Sequence, residues 1–503
     1  MKLKPGLRCR LLLPALAPLI GSCPTFAAEW DTGAGITAST YFTDNFCLSP
    51  TDKEAENVST VTPSVRMTGS GARARMSLNA RAEFNNVGQS DIDCTRGSVG
   101  GQRGNRRSIV PSGNFNGSFD AIENWLTLDA NAYAGLSPVN PFSPGSGDVI
   151  NGLDNTNVVS RWGVGAIVDR EFEQKVGLRL RYNYNEQYNS VDQIYGNSTE
   201  NRVNFNLGML PGTSRFRLGA SGRYSEVEFE DTALNPSFTN TLASAQVDGT
   251  VVINNALSLK GSVGEEFNEF LSVNEEIDGE YWDVGLRWTP SSRVVVDVGT
   301  GERFFGDTPR ASVSYYHKRS SFRASYQKSL SFPRNLRSNA DDVISDPTAP
   351  NIVDVPGDPI TGIDDPVLVG DSPILTESTS FTYGFRAQRT NFSLSARESL
   401  QTRARDLSKG EFRSASASLR RSISQKMSVN LRLSWRESQG EGGGAGLYGQ
   451  AAEAYIGSVA LSRRLARRTS VSVTYQYTDQ KSDFALNEYE ENRLSISLRH
   501  TFK

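Results

Sequence analysis

The most constraining feature of this sequence is an alternation of apolar and polar residues with a period of two. In the last stretch, 493–503, Leu494, Ile496 and Leu498 fall on one face, while Ser, Arg and Thr fall on the other. The same period recurs upstream at 471–478, 427–436 and 392–397. A period of two is typical of β-strands whose two faces meet different environments.

These strands predict an all-β protein, a transmembrane antiparallel β-barrel. The apolar and polar faces are both too extensive for one soluble sandwich, and no helical pattern is available to cover either face. A closed barrel with lipid outside and water inside suits both faces. A hydrophobic content of 37% also suits a wall in which only alternate residues meet lipid. The terminal Phe502 resembles the C-terminal signal of bacterial outer-membrane barrels, although Lys503 departs from that pattern.

Residues 1–28 predict a cleaved signal peptide, followed by the barrel at 29–503. Basic residues precede the apolar stretch Leu11–Ile20, and small residues follow it. We expect cleavage after Ala27 or Ala28 and export to the cell outer membrane of a Gram-negative type of cell. The alternative is a lipoprotein, because Ile20–Cys23 resembles a lipoprotein cleavage box with Cys23 as the acylated residue.

The connections between strands predict the strand number. Tight turns are expected near 254–255, 290–292, 318–320, 389–390, 424–425 and 465–467, and long polar loops alternate with them. Residues 110–135 contain two strands, 111–120 and 125–135, because a single strand there would leave the two chain ends on opposite sides. The count is then about 22 strands, with roughly 20 and 24 as the nearest alternatives of the same parity.

The polar face of these strands is rich in arginine, and it would line the lumen. A positive lining favours anions over cations. The alternative is that these residues pair with acidic groups and only brace the wall, where Asp283 and Asp297 are the clearest acidic candidates. The predicted lumen-lining residues are Arg179, Arg181, Arg217, Arg223, Arg287, Arg323, Arg386, Arg397, Arg420, Arg432 and Arg499.

A long external loop rich in Asp and Pro is expected at 331–375. Its central part, 341–371, has eight Asp residues and neither Lys nor Arg. The charge suggests a constriction folded towards an arginine-lined lumen; a calcium site and a solvated loop are the alternatives. The constriction candidates are Asp341, Asp342, Asp346, Asp354, Asp358, Asp364, Asp365 and Asp371.

The remaining residues argue against enzymatic, metal and nucleic-acid chemistry. The sequence has two His residues and a net charge of −3, and it shows no nucleophile–base constellation, no phosphate loop and no metal-ligand spacing. We therefore expect no catalysis, no cofactor and no nucleic-acid partner. Cys47 and Cys94 both survive signal cleavage and lie in successive external loops, so they predict a disulfide in an oxidising compartment.

The start of the mature chain carries a family resemblance. Glu29-Trp30, the stretch 40–45 with Asp44-Asn45, and Val61-Thr62-Pro63 resemble the first strands of outer-membrane barrels associated with the PEP-CTERM/exosortase system. Without the resemblance, Asp44-Asn45 simply ends a strand. The resemblance implies a porin-like channel for an exopolysaccharide, with outer-membrane lipid and periplasmic export components as partners. The alternative is a non-transporting barrel that binds partners in surface polysaccharide or protein biogenesis.

Overall fold

The computed structural model describes residues 29–88, 109–138, 156–190, 196–212, 214–231, 237–274, 276–331, 372–441 and 451–502. These residues form one sheet and a single short 3₁₀ turn at Ala485–Asn487. No helix among them is long and apolar enough to cross a membrane. The strands are β1 Glu29–Thr43, β2 Glu56–Ser70, β3 Ala74–Val87, β4 Ile109–Ile122, β5 Leu126–Pro138, β6 Thr156–Phe172, β7 Val176–Asn189, β8 Ser198–Met209, β9 Phe216–Phe229, β10 Phe238–Asn254, β11 Leu257–Glu269, β12 Gly279–Ser291, β13 Val294–Arg303, β14 Gly306–Asp307, β15 Arg310–His317, β16 Ser320–Ser331, β17 Ile374–Arg386, β18 Thr390–Arg403, β19 Lys409–Ser422, β20 Met427–Glu441, β21 Ala451–Ala466, β22 Thr469–Ser482 and β23 Tyr489–Thr501.

The sheet closes into a barrel of 22 antiparallel strands. Each strand pairs with the next along the chain, and β1 pairs with β23 from Gly35 opposite Thr501 to Thr43 opposite Arg493. The two-residue β14 folds back only on Glu302 and Arg303, while β13 continues its pairing with β15, so β14 is not part of the wall. The prediction of a 22-stranded transmembrane antiparallel barrel is confirmed.

The two ends of the barrel differ in the length of their connections. Short turns such as 71–73, 123–125, 318–319 and 467–468 lie at one end, together with Glu29 and Phe502, and we call this the turn end. The longer connections lie at the opposite end, called the loop end. The predicted division of 110–135 is confirmed by β4 and β5. Asn124 in their turn has a φ of 56°, a left-handed value that asparagine tolerates better than most residues.

Alternate residues face out of the barrel and remain exposed although they are apolar. On β23, Leu494, Ile496 and Leu498 are 46%, 48% and 46% exposed. The intervening Ser495 and Ser497 face the interior and are less exposed. Exposed apolar side chains over the whole circumference are what a wall in contact with lipid requires. We call the two faces of the wall outward and inward.

Candidate functional site

The eleven arginines predicted to line the lumen all occupy inward strand positions. Arg432, for example, lies between Leu431 and Leu433, which are 38% and 66% exposed on the outward face. Across the sheet, Arg397 is opposite Ser380 and Ser414, which share its face. The others, placed by the same register, are Arg179, Arg181, Arg217, Arg223, Arg287, Arg323, Arg386, Arg420 and Arg499. Their effect on ion passage stays a prediction.

The inward wall from β5 to β13 carries charges of both signs in contact with each other. Arg181 Nη2 lies 3.6 Å from Asp129 Oδ2. Lys260 Nζ lies 3.7 Å from Asp297 Oδ2. Arg310, at the start of β15, donates to Asp283. Each pair joins two strands that have one further strand between them, and its opposite charges cancel, which is the geometry that the braced-wall alternative describes.

Glu200 is the centre of the most buried of these networks. Its side chain is 1% exposed, and Arg202 Nη2 donates to its Oε1 at 2.6 Å. Arg161 Nη2 approaches the second carboxylate oxygen at 3.7 Å. Ser225 Oγ donates to Oε1 at 3.0 Å, and Asn185 Nδ2 donates to Oε2 at 3.4 Å. Two cations and two neutral donors from β6, β7, β8 and β9 therefore compensate one buried carboxylate.

A second ion pair joins the buried Glu266 to the partly exposed Arg303, whose guanidinium donates to the carboxylate. The Arg303 guanidinium carbon also lies 5.2 Å from the ring centroid of Tyr281 and 5.4 Å from that of Phe305. Phe305 reaches this position because the chain folds back at Gly306, whose φ is 93°. The backbone reversal thus adds a cation–π contact to the arginine that pairs with the buried Glu266.

The inward wall from β16 to β22 differs, because it consists mainly of serine, threonine, asparagine and arginine. Over the described residues of these seven strands, no inward position holds Asp or Glu. Facing hydroxyls bond across the strands, with oxygen–oxygen distances of 2.6 Å for Ser393 and Ser418 and 2.8 Å for Ser395 and Ser416. We call this surface the serine–arginine wall. Its charge has one sign, which is the condition for an electrostatic preference in a lumen.

The inward side chains at the loop end are buried, whereas those nearer the turn end are more open. Buried polar residues recur where strands meet the loop end, including Asn185 at 5%, Asn240 at 0% and Gln401 at 4% exposed. Tyr41, Phe46 and Val58 form an apolar cluster there. The inward side chains at the loop end are therefore the more closely packed part of the described interior.

The segment Thr43-Asp44-Asn45 joins β1 to the last strand of the barrel. Thr43 Oγ1 donates to Glu491 Oε1 at 2.8 Å. Asp44 accepts from the backbone N–H and the Nδ2 of Asn492, each at 2.7 Å. Asn45, fully buried, donates to the carbonyls of Ser49 and Glu490 at 2.8 Å and accepts from the N–H of Ser49 at 2.8 Å. The predicted strand end at Asp44-Asn45 thus also fastens the closing seam; we call the three residues the seam latch.

Several predicted residues lie outside the described part of the chain. These are the signal peptide 1–28, Cys94 and all eight Asp residues of 341–371. Cys47 is disulfide-bonded; its pairing with Cys94 stays a prediction. Within the described ranges, no group of three or more His, Cys, Asp and Glu residues is arranged to hold a metal ion.

The fold and the polar lumen define a transmembrane β-barrel of the size found in outer-membrane receptors. The siderophore receptor PirA from Acinetobacter baumannii is similar in structure, with 9% identity, a TM-score of 0.50, and coverage of 94% of this chain and 80% of that one. The FrpB iron transporter from Neisseria meningitidis has 9% identity and a TM-score of 0.50, covering 94% and 83%. A ferric enterobactin receptor mutant from Pseudomonas aeruginosa, solved with enterobactin, has 10% identity and a TM-score of 0.50, covering 94% and 81%.

No family model and no curated protein matches the sequence. Identities near 10% show a shared fold and do not carry over a ligand. The protein is therefore defined by its fold, a closed antiparallel β-barrel of 22 strands.

Proposed function

We propose that this protein is an outer-membrane channel for anionic solutes, with the turn end in the periplasm and the loop end outside. Short periplasmic turns and longer external loops are the usual asymmetry of such barrels. The single observation that carries the proposal is the serine–arginine wall, where six of seven successive strands, β16 to β21, present inward arginines and none of the seven has an inward carboxylate among the described residues. An aqueous lumen with that lining lowers the barrier for anions and raises it for cations.

Within this function, we propose an acidic exopolysaccharide as the physiological solute. The support is twofold: the resemblance of the segments near Trp30 and Asp44 to barrels of the PEP-CTERM/exosortase system, and a wall of hydroxyls and guanidinium groups suited to a polymer bearing hydroxyls and carboxylates. Periplasmic export components would deliver the polymer. Loss of polymer secretion in a deletion strain, restored by the wild-type gene, would support this step; unchanged secretion would contradict it.

Ion selectivity in a planar lipid bilayer tests the channel itself. We expect the reversal potential in a salt gradient to show anion preference, and replacement of Arg397, Arg420 and Arg432 by Gln to reduce it. The preference should also fall as salt rises, because screening shortens the reach of the lining charges to about 3 Å at 1 M. A cation-selective wild-type pore would contradict the proposal.

The matched control removes three outward arginines instead. Arg170, Arg421 and Arg463 lie on the outward face, and their replacement by Gln removes the same charge. We expect this variant to keep the selectivity of the wild type. An equal loss in both variants would mean that overall charge, and not the lining of the lumen, sets the preference.

A non-transporting barrel is the second candidate, favoured by the buried inward side chains at the loop end. Such a barrel would serve as an assembly or docking scaffold in surface biogenesis. Conductance separates the two functions, since an open pore of this size conducts ions and an occluded one does not. Absence of conductance in correctly folded protein would favour the scaffold.

A further inference from the structure

One sector of the turn end is strongly basic. From β15 to β23, the strand ends and turns at 317–320, 386–390, 420–427, 463–469 and 499–502 contain twelve Lys and Arg residues and no Asp or Glu. Eleven of the twelve are exposed, Arg420 being the exception. We call this sector the basic rim. Most of these twelve residues face outward or lie in the turns, so they are additional to the inward arginines of the serine–arginine wall.

The basic rim lies where the apolar outward face of the wall ends. Arg463 faces outward on β21, opposite Met427 and Val471 on the neighbouring strands. Large apolar side chains are interleaved with the cations, and Leu465 and Phe502 are 53% and 51% exposed. Arginine stems can lie along such an apolar surface while the guanidinium reaches the aqueous boundary. This mixture is typical of the level of lipid headgroups, not of a surface in bulk water.

The opposite sector of the turn end has no comparable excess of positive charge. Between β2 and β7 it contains Asp169, Glu171 and Glu173 as well as basic residues, and Arg73 Nη2 lies 3.6 Å from Glu123 Oε2. The basic rim is therefore a property of one side of the barrel. A general preference of short turns for basic residues would have distributed them around the whole circumference.

We propose that the basic rim is a binding site for anionic phospholipid headgroups of the membrane leaflet that the turn end reaches. The guanidinium group presents paired N–H donors that match phosphate oxygens, and Lys adds point charges. Juxtamembrane basic clusters attract anionic lipid in this way, and the attraction falls off within a Debye length. The barrel would consequently carry an annulus of lipid that is enriched in anionic headgroups on one side only.

Lipid retention by variants of equal charge tests this site. In the rim variant, Arg421, Arg463, Arg467 and Arg468 are replaced by Gln; purified protein is equilibrated in mixed micelles of phosphatidylglycerol and phosphatidylcholine, and bound lipid is counted by native mass spectrometry. We expect wild-type protein to retain phosphatidylglycerol selectively, and the rim variant to lose that selectivity by about tenfold or more. Equal retention by both proteins would overturn the proposal.

The control variant removes four positive charges that lie at the turn end but outside the basic rim, by Arg73→Gln, Lys175→Gln, Arg215→Gln and Arg293→Gln. We expect it to retain phosphatidylglycerol as the wild type does, and a loss equal to that of the rim variant would overturn the proposal. Heat-modifiable gel mobility reports whether each variant folds. If the rim variant does not fold, salt titration of the wild type decides, because selectivity that is insensitive to salt would contradict binding through headgroup charge.

Two competitors distinguish lipid from other anions. Glycerophosphate carries the same phosphate without acyl chains, and we expect it not to displace phosphatidylglycerol at equal phosphate concentration. Equal displacement would show a site for free phosphate instead. A synthetic glutamate decapeptide tests a protein partner: if it displaces the lipid from wild-type protein and fails to bind the rim variant, the surface recognises acidic protein and the lipid proposal is overturned.

Discussion

Replacing Asn45 by Ala should weaken the closure of the barrel. The Asn45 amide is fully buried and makes three hydrogen bonds of 2.8 Å, two to Ser49 and one to the carbonyl of Glu490 on β23. Each such bond contributes about 0.5–1.5 kcal/mol net, so that losing all three should cost about 2–4 kcal/mol. The seam of β1 and β23 should then be the first pairing to separate in denaturant.

Unfolding by urea in lipid vesicles, followed by tryptophan fluorescence and by gel mobility without heating, measures this cost. Asn86→Ala is the matched control, because Asn86 is an exposed residue near the loop end of β3. We expect the control to stay within about 0.5 kcal/mol of the wild type. If Asn45→Ala unfolds at the same urea concentration as the control, the seam latch does not stabilise the closure and the reasoning is refuted.

Three further predictions concern other parts of the chain. The protein should fractionate with the outer membrane and migrate faster on gels before heating than after; recovery as a soluble periplasmic species would contradict this. Cys47 and Cys94 should resist thiol labelling in the native protein until a reductant is added, whereas labelling of Cys94 alone would show a different pairing. Glu200→Gln should destabilise the barrel by about 1–3 kcal/mol in urea, since it leaves Arg161 and Arg202, both partly buried, without their carboxylate. Glu228→Gln, at an exposed outward position, is its control and should leave the stability unchanged within about 0.5 kcal/mol.

The wall was predictable from sequence because its information is local. A period of two assigns each residue to a face without knowledge of any partner, and this placed arginines such as Arg397 and Arg432 on the inward side. The parity of strands, fixed by both chain ends lying on one side, was enough to separate β4 from β5. Both steps need only the local sequence and the fact that one face of the wall meets lipid and the other meets water.

The networks inside the wall were not predictable because they depend on register between strands. Glu200 on β8 contacts Arg161 on β6 only because β7 lies between these two strands and pairs with each of them in one particular register. The contact of Thr43 with Glu491 joins residues separated by 448 positions. Nothing in either local sequence indicates that distant partner, and Asp44-Asn45 was therefore interpreted only as the end of a strand.

The long separation of β1 and β23 along the chain has a consequence for biogenesis. Every other pairing in the wall joins strands adjacent along the chain, so each can form as a hairpin soon after its residues enter the membrane. The seam alone must wait for the final strand, Tyr489–Thr501. Until then β1 and the newest strand are open edges, which are templates for pairing with other chains. A chain truncated before residue 489 would thus remain an unclosed sheet, in which Thr43 and Asn45 lack their partners on β23. A quality-control protease could recognise such a chain by its open seam.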